Sequence, residues 1–323
     1  MVKFQSLLLG ALLFGSLSSE AKTIHPYSCE PAPATPSSSA IGCSNLCGGN
    51  GNPMVGSSSP IVDMNYGING NGNIAVGNGN LVAGSGNTAV GNCNGVAGHL
   101  NTVLGDYSGV LGTANYAAGN HQTIIGNFNT ANGKGNKIKG NKNKAVGIKN
   151  KINGNLNMGV GVGNTQVGNL NQAVGSGNIQ MGHVNKAIGA INTQLGNLNQ
   201  AIGTGNLQIG QLNQAVGTCN TQSGNLNQAV GSGNTQIGGI NQAIGVDNTQ
   251  MGHLNNAVGT GNTQMGVGNS ALGNHNVAVG GGNTQIGSGN IGVGNQNTMI
   301  GTSNTAIGHQ NTVVGGCNFV KGT

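Results

Sequence analysis

The side chains able to do chemistry are few, and their spacing argues against catalysis. Past residue 21 the carboxylates are Glu30, Asp63, Asp106 and Asp247, too dispersed for the acid–base pair that glycoside hydrolysis requires. His99, His121, His183, His253, His275 and His309 are scattered and lack metal-ligand spacing, so neither metal nor cofactor is implied. Calcium-binding β-rolls need an Asp in every turn, which this chain lacks, and glycine strings such as Gly280-Gly281-Gly282 belong to a repeat and carry no phosphate-loop meaning. The chain reads as non-enzymatic, and three groups remain that could act by binding. Lys137, Lys139, Lys142, Lys144, Lys149 and Lys151 fall in residues 134–151, which hold seven of the 11 basic residues. Such a cluster either recognises a polyanion, with acidic polysaccharide as the partner, or is a solvated patch that discourages lateral aggregation. Thr221, Thr235, Thr249 and Thr263 recur every 14 residues, and Val230, Ile237, Ile244 and Met251 every seven. Net charge is +6, but with no Arg and 2% aromatics a nucleic-acid partner is disfavoured.

The element that must position these groups is a heptad. From Asn73 to Gly322 it recurs 36 times without insertion or deletion, as in Asn234-Thr235-Gln236-Ile237-Gly238 followed by the spacer Gly239-Ile240. Position 5 is Gly throughout, and position 1 is Asn except at Ser108 and Gln122. Five residues of strand and two of turn are too short for a helical repeat, and Gly and Asn disfavour helix. A 14-residue period, from alternating Thr-Gln and Gln-Ala units, makes two strands one coil. The fold class expected is all-β, a β-solenoid or parallel β-roll of about 18 two-strand, 14-residue coils with a Cys-containing N-terminal cap.

Alternation along a strand puts positions 1, 3 and 5 on one face and 2 and 4 on the other. Lys137, Lys144, Lys151 and Lys186 occupy position 2 and Lys139 and Lys321 position 4, whereas position 3 is never charged. Lone lysines are almost never fully buried, so positions 2 and 4 should face outward and position 3 should fill the interior. Small and large residues alternate there, Ala117 with Ile124 and Ala201 with Gln208, as a narrow core requires. Buried Gln and Asn amides must then bond from coil to coil. Both flat faces would carry exposed aliphatic stripes, which usually mark an interaction surface. The opposite assignment would hide the Val and Ile but bury the lysines and most of the Thr and Gln. Two small residues in succession, Ala271 and Ala278, mark a slip of phase before Gln285.

The units Asn304-Thr305-Ala306-Ile307-Gly308 and Asn87-Thr88-Ala89-Val90-Gly91 resemble the Ser/Asn-x-Ala-x-Gly heptads of YadA-like head domains in trimeric autotransporter adhesins. The resemblance covers residues 73–322. It implies a left-handed parallel β-roll, trimeric heads and adhesion to extracellular matrix or host surfaces. The family's neck, stalk and membrane anchor are not seen, and the Thr-Gln variant departs from its pattern.

Residues 1–21 read as a secretory signal peptide: Lys3, an apolar run from Leu7 to Leu17, and Ser19-Glu20-Ala21 as cleavage site. No other run approaches transmembrane length, so the expected location is secreted and extracellular. Residues 22–65 are a Pro/Ser-rich, Cys-containing linker and cap, and 66–323 the solenoid, with Tyr66-Gly67-Ile68-Asn69-Gly70 as a degenerate first unit. Part of residues 40–72 is expected to fold over the open edge of the first coil as a disulfide-tied cap, with Cys29, Cys43, Cys47 and Cys93 as candidates. Cys219 and Cys317, about seven coils apart, are too distant to pair and are either inert or intermolecular. The array has no Asn-x-Ser/Thr sequon, leaving its faces free of N-glycans. The expected function is a structural or adhesive repeat protein that self-associates or attaches to an extracellular surface. Ice binding through the Thr ladder is the alternative, and polysaccharide binding through the lysines a further one.

Overall fold

A computed structural model of the chain describes residues 39–41, 45–48, 53–55 and 66–322. These residues form strands and turns only, and among them no helix is long and apolar enough to cross a membrane. The chain divides into two compact units, Met1–Leu156 and Asn157–Thr323, each built the same way. Successive heptads alternate between two sheets, so within the array a strand pairs in parallel with the strand 14 residues away: Thr235–Gly239 lies on Thr221–Asn225, and Gln242–Val246 on Gln228–Ser232. We call the sheet that holds Gln228–Ser232 sheet A and the one that holds Thr235–Gly239 sheet B. The expected solenoid of about 18 turns is what the chain forms.

The inward face is the one the lysines predicted. Position 3 is buried in every unit except the last, where Val320 is half-buried, while positions 2 and 4 are half-buried or exposed except at Ala97. In the first unit Ala117, Ala131 and Ala145 of sheet A face Ile124, Ile138 and Ile152 of sheet B. In the second unit sheet B instead carries a row of glutamines from Gln166 to Gln264, all fully buried. Each rung donates onward: Gln222 Nε2 to Gln236 Oε1 at 2.8 Å, and Gln236 Nε2 to Gln250 Oε1 at 2.8 Å. The same Nε2 atoms also reach sheet A, as Gln236 does to the Gln228 carbonyl at 2.8 Å. The amide row is therefore both a filler and a cross-tie between the sheets. Past Gln264 the bulk changes sides, with Ala278 and Gly292 on sheet B opposite Gln285 and Met299 on sheet A. A Cβ on Gly292 would lie 2.6 Å from Met299 Cε, which is why that position is bare. Among the described residues, two buried side-chain oxygens lack a hydrogen-bond partner, Gln166 Oε1 and Gln285 Oε1.

The invariant Asn and Gly meet at one atom. Asn269 Nδ2 donates to the Gly280 carbonyl at 2.9 Å, while a Cβ on Gly266 would lie 1.9 Å from that same oxygen. Each Asn also accepts at Oδ1 from the backbone N–H and the Nδ2 of the Asn one coil on, as Asn241 does from Asn255 at 3.1 and 3.2 Å. The two exceptions are stacked and complementary. Ser108 is short, and its hydroxyl donates only at 3.4 Å. The longer Gln122 lies one coil on, its backbone N–H donating to Ser108 Oγ at 3.1 Å.

At the N-terminus the described strands extend the stack. Ser39–Ile41 pairs with Pro53–Val55, which pairs with Ile74–Val76 in sheet A, and Asn45–Gly48 pairs with Tyr66–Asn71 in sheet B. Tyr66–Asn71 in turn matches Ile68 to Val82, as a first unit should. In these stretches strands of the same chain continue the edge of the first coil, and the rest of the expected cap lies outside the described residues. The signal peptide, most of the linker, Cys29 and Cys43 lie outside the described residues, and of Cys47 only the backbone is described. Cys93, whose candidate partners lie outside the described residues or are described by backbone alone, is a free, exposed thiol. It sits at the outer edge of its coil, in a turn with φ of 55°.

Candidate interaction faces and edges

Sheet B presents the threonines. Thr221, Thr235, Thr249 and Thr263 pair in register over four consecutive coils, each two residues before an outward position-4 side chain: Ser223, Ile237, Met251 and Met265. Ile237, Met251 and Met265 are 41–45% exposed. The row is continued by Leu207 on one side and by Val277 and Ile291 on the other. Sheet A carries Val230 and Ile244 in register, so the four aliphatic residues divide between two stripes, one per face. Beside Val230 and Ile244 runs a second amide row on the outside, in which Gln228 Nε2 donates to Gln214 Oε1 at 3.0 Å and Gln242 Nε2 to Gln228 Oε1 at 2.9 Å. Both faces are thus alternating rows of apolar and uncharged polar groups at the strand spacing of a sheet, about 4.8 Å.

The lysines do not form one patch. Lys137 and Lys151 pair directly on sheet B, and Lys139 pairs with Asn153 one pleat along. Lys144 lies on sheet A beside Thr130, and Lys142 and Lys149 occupy turns at opposite edges, with φ of 56° and 55°. The cluster therefore rings the coil, with Lys137, Lys139 and Lys151 together on sheet B. Cys219 and Cys317 are free and exposed, in turns that follow sheet-A strands. Among the described residues no group of three His, Cys, Asp or Glu could hold a metal ion. Tyr107 and His121, one coil apart in equivalent turns, stack at 5.3 Å between ring centroids.

At the edges the sequence shows leucines interleaved with glycines at position 7, but not the backbone that they adopt. Every seventh position of the array adopts the left-handed backbone, φ of 53–69°, whether or not it is glycine, and all 24 non-glycine residues of positive φ occupy it. In the second unit the two edges differ. Turns following sheet-A strands carry Gly177, Gly205, Gly233 and Gly261 between single residues of mixed type. Turns following sheet-B strands carry Leu170, Val184, Leu198, Leu212, Leu226, Ile240 and Leu254 in seven consecutive coils. The signal was in the sequence as an aliphatic residue every 14 positions, but Val184 and Ile240 break it when leucines alone are counted. No protein-family model matches the sequence, and no curated protein is significantly similar to it.

Proposed function

We propose that the protein is a secreted, non-enzymatic structural repeat protein that attaches through its flat faces to an extended extracellular surface or to its own kind. The observation that carries this reading is the outward, half-exposed aliphatic row of position 4, held in register from coil to coil on both sheets. Exposed apolar rows of that length are uncommon on proteins with nothing to bind. The rows are rigid, because each coil is fixed by main-chain and Asn bonds to the next, so attachment costs little ordering entropy. Replacing Ile237, Met251 and Met265 together by Thr alters only outward side chains. It is expected to abolish adsorption to matrix- or polysaccharide-coated surfaces and leave the melting temperature in place. Unchanged adsorption would remove the reading.

One observation favours a second reading, ice binding. Thr221, Thr235, Thr249 and Thr263 form an unbroken ladder on a flat, uncharged stretch of sheet B, a regular array of hydroxyl and methyl groups able to order water. Thermal hysteresis that disappears when Thr235 and Thr249 are replaced by Tyr would support it. Absence of hysteresis and of recrystallisation inhibition in the native protein would end it.

A further inference from the structure

We infer that the edge formed by Leu170, Val184, Leu198, Leu212, Leu226, Ile240 and Leu254 is a pairing surface for a second copy of this chain, ridge against ridge. The pairing deepens the self-association reading above but uses an edge, not a face. Four observations on this edge converge.

The ridge is apolar and exposed: its seven side chains are 43–55% accessible. Together they present on the order of 600–700 Å², close to the ~800 Å² per partner of a standard stable interface. The residue types run against local backbone preference. All seven stand at φ of 57–59°, where Gly or Asn is the easy choice and where β-branched Val184 and Ile240 are disfavoured. The turns of the opposite edge use glycine repeatedly at the equivalent position, so the turn itself does not demand leucine. The ridge is also held rigid. The backbone N–H of Leu198, Leu212, Leu226, Ile240 and Leu254 donates to the carbonyl of residue 183, 197, 211, 225 and 239 respectively, at 3.0–3.1 Å. Finally, the row that precedes it, Asn169, His183, Asn197, Gln211, Asn225, Gly239 and His253, is polar and holds no Lys, Asp or Glu, and Lys186 is the one lysine at position 2 on its other side. An apolar centre with a polar rim is the anatomy of an interface core.

The partner is identified by periodicity. Seven knobs at one coil spacing, about 4.8 Å, are matched rung by rung only by a surface with the same spacing, and this chain supplies one. A closed twofold dimer uses the same patch on both copies, as a self-complementary ridge requires.

The test is native mass against concentration by light scattering, on the full chain in reductant so that thiols do not contribute. A reversible dimer in the micromolar range is expected. Replacing Leu198, Leu212 and Leu226 together by Asn, which accepts this backbone conformation, is expected to weaken dimerisation at least about a hundredfold, some 2.7 kcal/mol, with the melting temperature held or raised. Ile191→Asn, on the opposite edge, should leave the dimer intact. A native protein that stays monomeric at all concentrations, or a triple variant that still dimerises, overturns the inference. The Ile237, Met251 and Met265 variant separates the two readings: it should lose surface attachment and keep the dimer, so failure of attachment alone leaves the ridge proposal standing.

Discussion

Two glycines two residues apart should respond to the same substitution very differently. Gly266, at position 5, has φ of 121°, and an added Cβ would lie 1.9 Å from the Gly280 oxygen and 2.8 Å from its carbon. A tolerable carbon–oxygen separation is about 3.3–3.6 Å, so Gly266→Ala must drive the two coils apart by roughly 1.5 Å at that point. The oxygen that is pushed away is the acceptor of Asn269 Nδ2, and that bond is lost with it. The backbone conformation costs an alanine about 1–3 kcal/mol. The Asn bond and one or two adjoining ladder bonds add about 0.5–1.5 kcal/mol each, for a total of about 2–7 kcal/mol. Gly268, at position 7, has φ of 68°, and a Cβ added there would meet nothing within 4 Å. Gly268→Ala costs about 1–2 kcal/mol for the left-handed conformation, offset by about 0.4–1 kcal/mol from the stiffer unfolded chain. Urea unfolding of both variants, with amide exchange to localise the damage, should show severe loss around Gly266 and a change of no more than about 1.6 kcal/mol for Gly268. Equal losses, or a Gly266→Ala protein within about 1 kcal/mol of native, would refute the shared-oxygen account of the heptad.

Two further outcomes test the interior and the lysine ring. Gln222→Leu removes the donor to Gln236 Oε1 and strands a buried acceptor, so it should destabilise by about 1–3 kcal/mol in denaturant melts. Replacing the whole row from Gln166 to Gln264 by Ile, as the first unit does with Ile124, Ile138 and Ile152, should recover that loss, and a neutral single substitution would mean the row is not cohesive. Lys151→Thr relieves the in-register pair with Lys137 and should stabilise by about 0.2–1 kcal/mol at low ionic strength, an effect that salt abolishes; a salt-independent change would point to packing instead.

The heptad makes the architecture legible, because a strict period fixes register and the placement of lysines fixes which face is wet. The buried amide rows follow from the same step: Gln at an inward position has no partner except its copy one coil on. The edges are not legible in this way. A left-handed turn is usually announced by Gly or Asn, and here Leu212, Val184 and Ile240 adopt it because the coil closes only with that backbone, whatever the side chain. The N-terminal strands carry no such mark, because Asn45–Gly48 and Tyr66–Asn71 are separated by more than one 14-residue period. Sequence distance alone makes Cys93 a candidate for bridging, but its place on an outer turn leaves it facing away from the coil.

The exchange of bulk between the sheets after Gln264 has a consequence for how such a chain can change length. Asn, Gly and the left-handed turn are the same in both half-coils, so the main chain cannot distinguish one heptad from the next. Loss or gain of a single heptad would leave every coil closed and every Asn bonded, yet it would transfer all downstream Thr-Gln units to the other sheet. Thr284 and Gln285 on sheet A, where upstream units of that type lie on sheet B, are the pattern such an event leaves. Recombination within the repeats can therefore reassign surface chemistry from one side of the molecule to the other in one step. The unpaired Gln285 Oε1 marks the local misfit of side chains where the bulk changes sides.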